Sequence, residues 1–209
     1  MSKPWNNELR SVLNIAAVSI SALGLGAAAL AAPKPMELAA LYDNAISPDI
    51  KLPKNPKACS ISLTSVTDER RSPEMIGVFL GRAVRAPANR DAWLRSIVSS
   101  LKSRKISVNF AEGGGESAAP LAADVAQVAV TKAWIANTDG NMSASIVFRL
   151  KSIDATGVVT EQIYRGGASH SSYFSGGPGE LQRAFNTAVS RALDAMATDI
   201  QIRCGNSLT

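Results

Sequence analysis

The run 143–153 alternates polar and apolar side chains with the period of a strand that has one face buried. Ala144, Ile146, Phe148 and Leu150 fall on one side, while Ser145, Arg149 and Lys151 fall on the other. Asp139, Gly140 and Asn141 precede this run, and Asp154 and Gly157 follow it. They supply the residues that tight turns use, because glycine takes positive φ without a steric penalty. Strands are therefore expected over 125–136 and 158–165 as well, giving a three-stranded meander at the centre of an antiparallel sheet. Trp134 is the largest apolar group of the first of these strands, and nothing in the stretch carries catalytic chemistry.

Around this centre the chain reads as a mixture of strands and helices. Residues 60–66 form an earlier strand, with Ile61 and Leu63 on one face and Ser60, Ser62 and Thr64 on the other. Residues 67–73 follow neither period. Asp68, Glu69, Arg70 and Arg71 there read as a solvated turn whose local ion pairs contribute little to stability. A helix is expected over 89–105. Asn89 caps it, Asp91 favours its positive end, and Trp93, Leu94, Ile97, Val98 and Leu101 form its apolar stripe. A strand follows over 106–110, then a flexible loop over 112–120 whose triple glycine lacks the strand-to-helix setting of a phosphate cradle. A second helix over 180–200 carries Leu181, Phe185, Ala188, Val189, Ala192, Met196 and Ile200 on one side, with alanines that allow close approach to a sheet. The tail 201–204 can extend as a short strand. The fold class is α+β: a mostly antiparallel sheet of about four to six strands with two helices packed on one face.

Before this domain, Lys3 and Arg10 precede an apolar run over 12–32, and Ala29, Leu30 and Ala31 make a small-x-small cleavage pattern. Residues 1–31 read as a secretory signal peptide, with an uncleaved N-terminal anchor as the alternative. Residues 32–58 hold Pro33, Pro35, Pro48, Pro53 and Pro56 and read as an arm or linker, either a tether or an arm packed along the sheet edge. A short helical turn fits over 37–42. The single domain then spans 59–205, with a tail over 206–209. A periplasmic or envelope location follows from the leader.

That compartment gives the two cysteines a meaning. Cys59 stands just before the first strand and Cys204 just after the last helix, so an oxidised pair ties the ends of the domain together. Closing so long a loop stabilises by about 5 kcal/mol in the chain-entropy description. Two buried or unpaired thiols are the alternative.

The catalytic inventory is sparse. His170 is the single histidine, and Ser169, Ser171 and Ser172 beside it cannot form a hydrogen-bonded triad as immediate neighbours. No Gly-x-Ser-x-Gly elbow, zinc, calcium or Walker pattern occurs, and no cofactor is implied. The formal net charge of +5 is a mild excess, the basic residues are scattered, and aromatic residues make up 5%, which speaks against a nucleic-acid binder. An anionic membrane surface remains a possible partner. Residues 166–179 form a long polar, glycine-rich loop, and its His170, Tyr173 and Phe174 are the candidate partner-binding residues.

The sequence from Ile61 to Arg70, Ile-Ser-Leu-Thr-Ser-Val-Thr-Asp-Glu-Arg, is followed by Met75-Ile-Gly77 and by helices beginning near Arg90 and running from Ala184 to Ile200. This layout, over 59–200, resembles the YajG-like group of bacterial envelope lipoproteins, in which a comparable valine, aspartate-x-arginine and isoleucine-glycine pattern follows the first strand. More broadly it resembles small α+β envelope accessory proteins, including auxiliary lipoproteins of lipid transporters. Members of that group carry a lipidated cysteine at the end of the leader, whereas this leader ends in alanines and Cys59 follows Lys54-Asn-Pro-Lys-Ala58. The resemblance implies an envelope location and a non-enzymatic accessory role in assembly or transport, and brings no catalytic residues. A protein partner in the envelope is expected. A carrier of lipid or another small ligand is the second reading, and a hydrolase using the 169–172 stretch the third.

Overall fold

Three long strands realise the meander: β6 (Val125–Thr138), β7 (Asn141–Ile153) and β8 (Val159–Ser171), paired antiparallel in that order. The computed structural model describes residues 34–38, 58–111, 125–138, 141–153, 157–171 and 177–206, all within a unit spanning Pro33–Thr209. The expected leader over 1–31, most of the 32–58 segment, the triple-glycine stretch, Ser172, Tyr173 and Phe174 lie outside them. Before the meander come β1 (Met36–Glu37), β2 (Cys59–Asp68), β3 (Met75–Phe79), β4 (Arg82–Arg85), α1 (Arg90–Ser99), a 3-10 turn (Ser100–Arg104) and β5 (Ile106–Phe110), and α2 (Pro178–Asn206) ends the domain.

β6 is the organising strand because both of its edges are used along its length. One edge carries β7. The other carries β2 in parallel over residues 125–130 and then β3 in parallel at Ile135 and Ala136. Outside β2 lies β5, also parallel, and outside β3 lie β4 and then β1. The α+β class stands, but the sheet is mixed and has eight strands, more than the expected four to six. The reason is local: β2 and β3 run in the same direction as β6, on the same side of it, joined only by the charged turn.

Two bulges keep one face of the sheet buried throughout. Thr64 is the extra residue in β2 and Thr131 the extra residue in β6. Below its bulge β2 buries Cys59, Ile61 and Leu63, and above it Val66. β6 buries Ala126, Val128 and Val130, then Ala133 and Ile135. A strict period of two over the whole of β6 would have turned Ala133 and Ile135 to solvent.

The helices cover that buried face. α1 packs on β2 and β5, and α2 on β7 and β8, with the 3-10 turn touching α2. Asn89 Oδ1 accepts from the Ala92 amide at 3.0 Å, the cap expected of it, and Trp93, Leu94, Ile97, Val98 and Leu101 are buried. The helix ends earlier than 105: Lys105 takes φ +60° and closes the 3-10 turn. On α2, Gly166 decides the approach. A Cβ there would stand 1.7 Å from the Ala188 carbonyl oxygen, so the helix backbone rests directly on β8. Phe148 and Phe185 are fully buried between the layers, each worth about 1.5 to 3 kcal/mol by area.

The hairpin β3–β4 had no counterpart in the sequence reading. Its turn is Leu80 at φ +47° and Gly81 at φ +74°, the left-handed pair of a two-residue hairpin, with leucine where asparagine or aspartate would announce it. At the arm, Met36 and Glu37 are extended rather than helical, and Arg82 holds them by donating Nε and NH2 to the Lys34 carbonyl at 3.0 and 2.7 Å. This end of the arm therefore packs along the sheet edge. The tail 201–204 is likewise helical, not a strand, since α2 runs on to Asn206.

Candidate partner-binding face

The face of the sheet opposite the helices has no layer over it among the described residues. Register places its side chains in rows across β6, β7 and β8. At one end Val125, Ile153 and Val159 stand together, then Gln127 with Lys151 and Glu161, and Ala129 with Arg149 and Ile163. Beyond the β6 bulge follow Lys132 with Val147 and Arg165, and Trp134 with Ser145 and Gly167. Val78 of β3 extends the surface next to Ala136. Trp134 is 41% exposed and Ile163 53%, so large apolar groups meet solvent on a face that also carries Lys132, Arg149, Lys151 and Arg165. Glu69 accepts from Arg149 NH2 and ties β7 to the end of the β2 turn. The bulge at Thr131 is what points Trp134 outward. Sequence identified Trp134 as the largest apolar group of the strand but not the face it occupies.

The turn after β2 is exposed at Glu69, Arg71 and Ser72 as expected, but Arg70 and its Asp68 partner are withdrawn from solvent, which corrects the expectation for that pair. Bulge parity puts Asp68 and Arg70 on the buried side, and Arg70 is only 7% exposed. Its guanidinium donates Nε and NH2 to the Asp68 carboxylate at 2.8 and 2.6 Å, and reaches the carbonyls of Pro73 at 2.5 Å and Met75 at 3.3 Å. Its Cζ stands 5.8 Å from the Trp93 ring centroid. The fork thus closes the loop that moves the chain from β2 to β3. Gly77, two residues further on from Met75, permits the next step: a Cβ there would stand 1.8 Å from the Ile135 carbonyl oxygen. The aspartate-x-arginine and isoleucine-glycine pattern is therefore a structural device for placing two strands along one edge of β6.

A second polar cluster joins α2 to the meander. Tyr164 Oη donates to Asp199 Oδ2, 2.5 Å away, and lies 2.6 Å from Gln162 Oε1. Arg203 donates to Ser152 Oγ at 2.9 Å and pairs with Asp199 at 3.1 Å. Burial, reinforced by the Asp199 carboxylate, pushes the Tyr164 phenol well above its ordinary range, so it remains a proton donor. Under the 3-10 turn, Arg104 Nε donates to the buried Asp194 at 2.8 Å, and Gln201 donates to the Arg104 carbonyl. These contacts fix α2 in place.

Of the residues singled out from sequence, His170 lies on β8, opposite Met142, rather than in a loop. The strand runs further than 165, and the glycines at 166 and 167 belong to it. His170 is exposed. Alternation puts it on one face while Ser169 and Ser171 take the other, so these three side chains do not converge as nucleophile and base. Tyr173 and Phe174 fall outside the described residues. Cys59 is buried as the first residue of β2, and Cys204 lies half-buried near the end of α2. Cys204 borders a crevice of about 10 Å³ shared with Ser60, Ile61, Ser152, Ile200 and Arg203. That space suits at most one water and not an apolar chain. A hollow of about 300 Å³ beside β4 is lined by the charged Glu37, Glu74, Arg85 and Arg90 together with Ala86, Pro87 and Ala88. Among the described residues no group of three potential metal ligands gathers, and no helix is long and apolar enough to cross a membrane.

Neither a family profile nor the sequence of a characterised protein matches the chain. Solved structures with a similar layout do exist. A protein of the DUF330 family from Xanthomonas campestris is 14% identical, with 83% of this chain and 96% of that chain covered and a TM-score of 0.48. A minor lipoprotein from Acinetobacter baumannii is 12% identical over 69% and 92% of the two chains, with a TM-score of 0.36. A lipoprotein from Neisseria meningitidis is 12% identical over 71% and 99%, with a TM-score of 0.32.

Proposed function

We propose that this chain is a non-enzymatic accessory protein of the bacterial envelope, related to the YajG-like group, that binds an envelope protein through the open face of its sheet. The observation that carries this reading is the exposed Trp134 among Val78, Val147, Ile163 and a set of basic side chains. A tryptophan in such a place is a strong anchor for a partner, and Lys132, Lys151 and Arg165 favour a partner that is acidic around an apolar centre. The leader supports the compartment, and the aspartate-x-arginine fork with Gly77 supports the relationship. In the same reading Cys59 and Cys204 are joined. Cys204 borders a crevice with Ser60 and Ile61, the residues that follow Cys59 on β2, and a non-reducing intact mass two hydrogens below that of the reduced protein checks the pairing.

The test is capture from envelope extracts by the full chain carrying an affinity tag, with Trp134→Asp as the comparison. Trp134 is 41% exposed, and circular dichroism verifies the fold of the variant before capture is compared. The reading predicts one dominant envelope protein with the wild type and at least about tenfold less of it with the variant, the scale of a hot-spot residue. Equal capture by both proteins removes the open face from the account.

A further inference from the structure

β8 closes one side of the sheet: it pairs with β7 and, among the described residues, with no other strand. Two hydrogen bonds show which of its backbone groups turn outward. The Gly167 carbonyl accepts from Arg191 NH1 of α2 at 2.7 Å, and on the next strand the Val147 carbonyl accepts from Thr131 on the β6 side at 3.4 Å. In an antiparallel ladder these groups alternate from residue to residue, so the odd-numbered residues of β8 present their amides and carbonyls at the edge. Arg191 covers Gly167. On one side of it Val159, Glu161, Ile163 and Arg165 form an outward ladder with side chains exposed on the open face, and Ser169 and Ser171 continue it on the other.

We propose that a second copy of this chain docks on this edge, β8 against β8 in the antiparallel sense, about a two-fold axis at Ile163. The charge pattern selects both the occupant and the register. With the axis at Ile163, Glu161 of one protomer faces Arg165 of its partner, and Arg165 faces Glu161. Both pairs lie on the same face, and Ile163 faces itself. Placing the axis at 161 or 165 sets like charges opposite each other, which is unfavourable. Placing it at 162 or 164 sets Glu161 and Arg165 opposite uncharged residues. An isologous contact requires such self-complementarity. The helix layer permits it: α2 lies over β7 and β8, so two copies of it would run roughly 10 Å apart across the junction, within the range of helix packing.

Charge reversal tests this. Sedimentation equilibrium of the full chain in mild detergent is measured for the wild type, for Glu161→Arg, for Arg165→Glu and for the double variant. Both positions are exposed, and circular dichroism verifies the fold of each protein. The wild type is expected to dimerise, each single variant to do so at least about tenfold more weakly, and the double variant to return to near wild-type affinity, because its opposed charges are again unlike. A wild type that stays monomeric at roughly 100 µM, a concentration that populates even weak complexes, overturns the proposal. So does a dimer indifferent to the single reversals, or one that the double reversal fails to restore.

Discussion

Arg70 shows how much of this fold rests on single side chains. Its guanidinium spans Asp68, Pro73, Met75 and the Trp93 ring while nearly excluded from water. Removing one partner of a buried ion pair leaves the other charge uncompensated, and Arg70→Ala is expected to destabilise by about 3 to 5 kcal/mol in urea titration. A loss below about 1 kcal/mol, the scale of a surface pair, would return the turn to the solvated reading. The residues were conspicuous in the sequence, yet their burial was not legible, because it follows from a bulge at Thr64 that shifts the parity of everything after it. Tyr164 makes a second residue-scale prediction. Its folded pKa is raised, so its contribution is fully present below the unfolded value of about 10 and is lost as pH climbs above that toward the folded value. Tyr164→Phe should therefore flatten the fall of stability with pH in the alkaline range. An unchanged slope in the variant would mean that burial and Asp199 do not hold the phenol neutral.

Among the elements, the meander and both helices were written plainly in the sequence. Ala144, Ile146, Phe148 and Leu150 all face the core, and Asn89 and the stripe from Trp93 to Leu101 behave as their spacing required. These are local signals. What the sequence concealed depends on partners far along the chain: the parallel seat of β2 and β3 on β6, and the outward turn of Trp134. The β3–β4 hairpin was hidden for a different reason, since Leu80 occupies a left-handed position that leucine seldom takes. His170 was misplaced because glycines at 166 and 167 resemble a loop. Gly166 is instead where α2 needs a strand without a side chain. The same close packing leaves the outer edge of β8 bearing Glu161, Ile163 and Arg165, so the self-docking prediction belongs to this scale.

At the scale of the whole domain, two helices cover one face of an eight-stranded sheet, and among the described residues no layer covers the other. In the proposed function the exposed Trp134 on that face, with Val78 and Ile163, is the anchor for a partner. Such an asymmetric layout suits an accessory protein, whose helix layer supplies stability while the open face is available for contact. The most direct measurement of this claim is photo-crosslinking in the intact bacterial envelope. A photoreactive residue would replace Val147, at the centre of the open face, or Ile202, exposed on α2. The account predicts a discrete adduct with one envelope protein from position 147 and none from position 202. Adducts from 202 alone, or adducts from 147 only with lipid, would contradict it.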